Sequence, residues 1–186
     1  DPDNRLQSKA GPASGDAWRS KLNRKYWLSG YGIASAFDTT CSNKAALMGV
    51  MTHEYVHLFG APDLYDPNQY RGGLGHFDIM SNPEGAVPGY VPGSASPYIK
   101  IGIGWMKPEF IEYDGEYSLR ASNLYPESFI IEKNFPPGEY LIIENRQVRD
   151  YDEQLPGNGG LLIYHVDELQ QSGQTRAGWP GSQFWP

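Results

Sequence analysis

Cysteine is almost missing from this chain: the 186 residues contain one, Cys41. No disulfide framework can hold the fold, so stability has to come from a packed core. A lone cysteine reads first as a buried or free thiol, next as half of a pair with an unseen segment, and last as a zinc ligand. Basic residues are also in short supply, with 15 Lys and Arg against 22 Asp and Glu and a net charge of -7. That balance excludes nucleic acid as a partner, since phosphate binding needs a basic surface that releases counterions. It likewise leaves no basic patch for an anionic membrane. No apolar run approaches the roughly 20 residues that span a bilayer, so no membrane span is expected. The opening DPDNRLQSKA is polar, unlike a signal peptide, which suits a mature secreted protein or an internal piece of one.

Core material is ample: 13 Tyr, 7 Phe and 5 Trp, in a length suited to one ordinary domain. The 22 Gly and 15 Pro call for many turns and long ordered loops. GDAWRSKL is a possible short helix, and KYWLSGYGIASAF, residues 25–37, reads as a strand or extended segment running into a loop at DTTCSN. A helix is predicted next, capped by Ser42 or Asn43. Ala46, Val50, His53 and His57 follow at helical spacing, with Leu47, Met51 and Leu58 widening the buried stripe. Gly60 tolerates the left-handed conformation that ends a helix, and Pro62 cannot continue one. Residues 61–97 are mostly loop, and loops of this length are usually functional. SPYIKIGIGW predicts a short helix entered through Pro97. Beyond Pro108, EYSLRA, SFIIEKN, EYLIIENRQV and GGLLIYHVDE are strand-like runs parted by PPG and LPGNGG turns. The fold class is α+β, with residues 1–108 forming one part and residues 109–186 a β-rich part or subdomain.

Two of only four histidines sit in THEYVHLFGAPD. His53 and His57, four apart on a helix, present both imidazoles to one ion. Glu54 beside them is placed as a general base toward a water acidified by zinc, while the ion polarises a carbonyl. The bland alternative is a surface histidine pair, which does not account for their place on the apolar stripe. Gly60 turns the chain back, so Asp63, six residues after His57, is placed to be the third ligand. Its competing role is a turn-stabilising Asx residue, and Glu84 is the rival ligand. Met80 in HFDIMS would be a soft floor beneath the ligands. Asp78 reads as a buried, hydrogen-bonded acid, and His76 and His165 as satisfied structural histidines.

HEYVHLFGAPDLYD, GLGHFDIMS, SPYIKIGIGWMKP, EYLIIENRQ and GGLLIYHVDE together resemble the immune inhibitor A-like metallopeptidases, peptidase family M6, within the metzincin-like zinc proteases. The likeness runs from Met48 to Glu168. It implies a secreted zinc metalloendopeptidase acting on protein or peptide substrates, with His53, His57 and Asp63 as zinc ligands, Glu54 as general base and Met80 as the Met-turn. The family has glycine where this chain has Val56, a difference of up to about 0.7 kcal/mol in helix propensity and no lost ligand. With 52 residues before His53, the N-terminal sheet of such a domain is expected to be incomplete, which makes an N-terminal portion of the same protein an expected partner. Calcium is a further cofactor candidate, with loop carboxylates in DLYDPNQY and VRDYDEQ. Two other readings stand beside the protease: a non-catalytic structural or surface module keeping the fold within a larger assembly, and a small-molecule metallohydrolase.

Overall fold

The computed structural model describes residues 9–12 and 30–33 as backbone, together with residues 48–65, 73–81 and 92–169. In chain order the elements are β1 (Lys9–Pro12), β2 (Gly30–Ile33), α1 (Met48–His57), α2 (Pro97–Gly102), β3 (Glu109–Phe110), β4 (Phe129–Ile131), β5 (Glu139–Arg146) and β6 (Gly160–Asp167). Single 3-10 turns lie at Gly75–Phe77 and Asp150–Asp152. This is the mixed α+β class expected.

β1 and β2 pair antiparallel, Lys9 opposite Ile33 and Pro12 opposite Gly30, and lie against α1. β2 falls within the extended segment read from the sequence. The GDAWRSKL segment, the Ser42 and Asn43 caps, Cys41 and Glu84 lie outside the described residues.

α1 ends as its sequence requires. Three i to i+3 backbone hydrogen bonds, closing at Leu58, Phe59 and Gly60, tighten the last turn. Gly60 then takes φ +93°, which is strained for any residue with a Cβ. The buried face of α1 carries Gly49, His53, Glu54 and Val56. Met51 and Leu58 are exposed at 38% and 39%, against the expectation that they widen the buried stripe. The helix lays His53 and Glu54 inward, and Met51 and Leu58 are turned outward. Val56, the position that differs from the family, is packed in the core.

That core joins Val56, Ala61, Leu64, Ile79, Met80, Ala95 and Ile99. A second cluster, Ile130, Ile142 and Tyr164, lies under the sheet, and Leu74 and Tyr98 pack against both. α2 begins at Pro97, whose missing N–H costs nothing in the first turn.

The four-stranded sheet has order β3-β4-β5-β6, with β3-β4 parallel and the rest antiparallel. On β5, alternation turns Ile142, Glu144 and Arg146 inward. EYSLRA is no strand: it makes one parallel bridge, Ala121 with Asn145. Its chain is held instead by Ser122 N donating to Asn145 O at 2.7 Å and by Asn145 Nδ2 donating to Leu119 O at 2.9 Å. β3 takes the edge of the sheet, beside β4.

Candidate metal centre

The helix, the turn after it and a second turn 20 residues on converge on one point. His53 Nδ1 lies 2.9 Å from the carbonyl oxygen of Ile79, and His57 Nδ1 lies 2.8 Å from that of Ala61. A carbonyl only accepts, so each imidazole donates its proton at Nδ1 and keeps a lone pair at Nε2. Those two Nε2 atoms face each other at 3.1 Å. Asp63 Oδ1 lies 3.1 Å from the first and 3.2 Å from the second. His53 is buried, while His57 and Asp63 are half-buried, as suits a site open on one side.

Three electron-pair donors this close repel one another unless a cation sits among them or one takes up a proton. The electrostatics of the metal-free group say the same. The hydrogen bond to Asp63 is the main cause that raises the His57 pKa; burial opposes it, and the Ala61 carbonyl and the charges of Asp63 and Glu54 add to it. Burial would raise the Asp63 carboxyl, but hydrogen bonds and charge from His53 and His57 outweigh it and hold Asp63 well below the usual carboxylate range. The residues also fit an ion by size. Ligand atoms about 2.0–2.1 Å from a tetrahedral zinc lie about 3.3 Å from one another, close to the separations here. Two imidazoles and one carboxylate leave a fourth position, the pattern of a catalytic rather than a structural zinc site.

Glu54 is buried on the same helix and lies in the field of all three. Burial pushes its carboxyl up from the usual value, the two imidazoles pull it down, and Asp63 adds to the rise.

The turn at 78–81 is tied to the group by hydrogen bonds. Ser81 N closes it by donating to Asp78 O at 3.0 Å, and Leu64 N donates to Met80 O at 2.9 Å, tying the Asp63 loop to it. Met80 is 0% exposed. Gly73 passes so close that a Cβ there would stand 1.8 Å from Leu64 O. Asp78 is buried as expected, its two oxygens accepting from Met80 N at 2.6 Å and Ser96 N at 2.7 Å.

Among the described residues, His53, His57 and Asp63 are the one group of metal-ligating side chains brought together. Asp63 thus stands with the histidines, as the sequence suggested, while its rival Glu84 is outside the described residues. His165 instead pairs with Glu139 across the sheet at 3.0 Å. In the VRDYDEQ loop, Asp152 is engaged by Arg146 and Asp150 by Arg149. Sequence reasoning gave no role to the carbonyls of Ile79 and Ala61, because backbone acceptors leave no side-chain signature. It also passed over Arg146, whose signal was a charged residue on the inward side of a strand.

A helix bearing two histidines and a buried glutamate, with a carboxylate returned by the following turn, defines the class of site that metal-dependent hydrolases use. Residues 14–106 match the immune inhibitor A peptidase M6 catalytic-domain family. The chain belongs to that peptidase family, and the matched stretch takes in His53, Glu54, His57, Asp63 and Met80. The EYLIIENRQ and GGLLIYHVDE blocks lie beyond the match. No curated protein and no solved structure gives a significant match.

Proposed function

We propose that this chain is a zinc-dependent endopeptidase, in which His53, His57 and Asp63 hold the ion, Glu54 is the general base and Met80 forms a Met-turn. The observation that carries this reading is the convergence of His53 Nε2, His57 Nε2 and Asp63 Oδ1 within 3.1–3.2 Å of one another. When bound, zinc there supplies a Lewis acid for the scissile carbonyl and acidity for the attacking water. The chain's own residues do the rest. Ile79 O and Ala61 O fix both imidazoles in the Nδ1–H tautomer, so that both Nε2 lone pairs point into the site. Glu54, made more basic by burial, takes a proton from the attacking water and passes it to the leaving amine as the C–N bond breaks.

Residues 1–108 and 109–186 are read as parts of one catalytic domain, a reading supported by Leu74 and Tyr98 packing into both core clusters. The presence of Glu54 weighs against a non-catalytic module, since a structural zinc site has no use for a base. The test is casein cleavage by the zinc-loaded chain, with chelator and with Glu54→Ala. Cleavage abolished by both supports the reading. Cleavage that survives either one, or zinc binding with no cleavage of any protein or peptide, overturns it.

A further inference from the structure

Arg146 is 1% exposed at the end of β5, on the buried side of that strand. All five of its N–H groups are used. Nε and Nη2 donate to the two oxygens of Asp152, each at 3.1 Å. Nη1 donates to Phe77 O at 2.5 Å and reaches Glu144 Oε1 at 3.4 Å, and the second Nη2 proton goes to Ser94 O at 2.8 Å. Asp152 is equally engaged, accepting from Ser94 N at 3.1 Å, Ser94 Oγ at 2.9 Å and Asn123 Nδ2 at 2.7 Å.

The loop entering α2 and the 77–81 turn are therefore cross-linked twice. Asp78 joins Met80 N to Ser96 N, and Arg146 joins Phe77 O to Ser94 O. Two residues past Phe77, Ile79 O holds His53 Nδ1, and the next carbonyl, Met80 O, holds the loop of Asp63. Such a buried ion pair is a poor device for stability, because apolar residues of the same volume do as well or better. A planar fork with five fixed donors is a good device for holding two carbonyls at a set distance.

We infer that Arg146, locked by Asp152, is a positioning residue for the metal centre: it fixes the 77–81 turn and through it the imidazole of His53 and the loop of Asp63. This rests on the reading of that centre as a zinc site. Arg146 never touches substrate or ion.

The test is Arg146→Lys in the full chain, with Asp152→Asn as the second variant should the first not fold. The readouts are the zinc dissociation constant by chelator competition, the visible spectrum of the cobalt-substituted protein, and the melting temperature of the metal-free chain. Arg146→Lys keeps the charge and loses the fork. The expected result is a zinc dissociation constant weakened on the order of tenfold, with altered cobalt bands. A folded variant with a lower melting temperature but wild-type zinc affinity and cobalt spectrum overturns the inference and leaves the zinc reading intact. Wild-type protein that binds no zinc overturns both.

Discussion

His53 Nδ1 lies 2.9 Å from the carbonyl oxygen of Ile79, 26 residues further along the chain. That hydrogen bond fixes the tautomer of a helix residue by means of a turn that shares no secondary structure with it. A histidine supported in this way presents a fixed lone pair, and the group it belongs to competes for a cation against protons.

Zinc uptake should therefore depend on pH in a stated direction. The pKa of His57 is raised above its usual 6.5, chiefly by the hydrogen bond to Asp63. Binding must displace that proton, so affinity falls as pH falls, and the fall begins at a higher pH than for an ordinary histidine. Chelator competition at pH 8, 7 and 6 measures it, and equal affinity at all three contradicts it.

Glu54→Gln should separate stability from activity. Burial raises the folded pKa of Glu54 above its ordinary 4.5. A carboxyl shifted this way contributes fully below its unfolded pKa, and that contribution is lost as pH rises through the folded value. Ionised Glu54 thus weighs against folding at neutral pH. The metal-free variant should melt at a higher temperature than the wild type at pH 7, a gain that vanishes below about pH 4.5, while cleavage falls by roughly 10²–10⁴-fold. A lower melting temperature at pH 7 would refute the sign.

Glycine substitutions should rank by what their side chains meet. At Gly73, φ is +61° and a Cβ would stand 1.8 Å from Leu64 O and 2.4 Å from Ser81 Oγ. Gly60 has φ +93° but open space around it. Gly60→Ala should cost about 1–2 kcal/mol, and Gly73→Ala clearly more, with weakened zinc binding because Leu64 follows Asp63. Urea unfolding of the metal-free chains gives the order, and equal costs would contradict it.

Met80, fully buried in the core with Val56 and Leu64, should tolerate shape better than loss of volume. Met80→Leu should cost less than about 1.5 kcal/mol and Met80→Ala about 2–5 kcal/mol, read from the same unfolding curves.

How much of this was legible beforehand follows from the range of each signal. Local signals were readable: Gly60 ending α1, Pro97 opening α2, and the alternation of β5 and β6. The pairing of His53 with His57 was readable because helical geometry alone places residues four apart on one face. The return of Asp63 needed only a turn of six residues and was proposed from the same stretch. Three features depended on tertiary partners and were missed or misread. EYSLRA has a strand's pattern, but β4 is only three residues long and leaves it a single bridge on β5. Met51 and Leu58 were expected to widen the stripe through the histidines, yet the buried residues of α1 are Gly49, His53, Glu54 and Val56. Arg146 and Asp152 are six apart in sequence, but what they hold lies 69 and 52 residues away, at Phe77 and Ser94. No local pattern encodes such partners.

The most direct measurement is X-ray absorption at the zinc edge on the zinc-loaded chain. The account predicts one zinc per chain with only nitrogen and oxygen neighbours at about 2.0–2.2 Å, carrying the outer-shell scattering of two imidazoles. That nitrogen–oxygen shell should be lost or altered in Asp63→Ala. A sulfur neighbour at about 2.3 Å would bring Cys41 into the site and contradict the ligand set, and a chain that takes up no zinc would contradict the account as a whole.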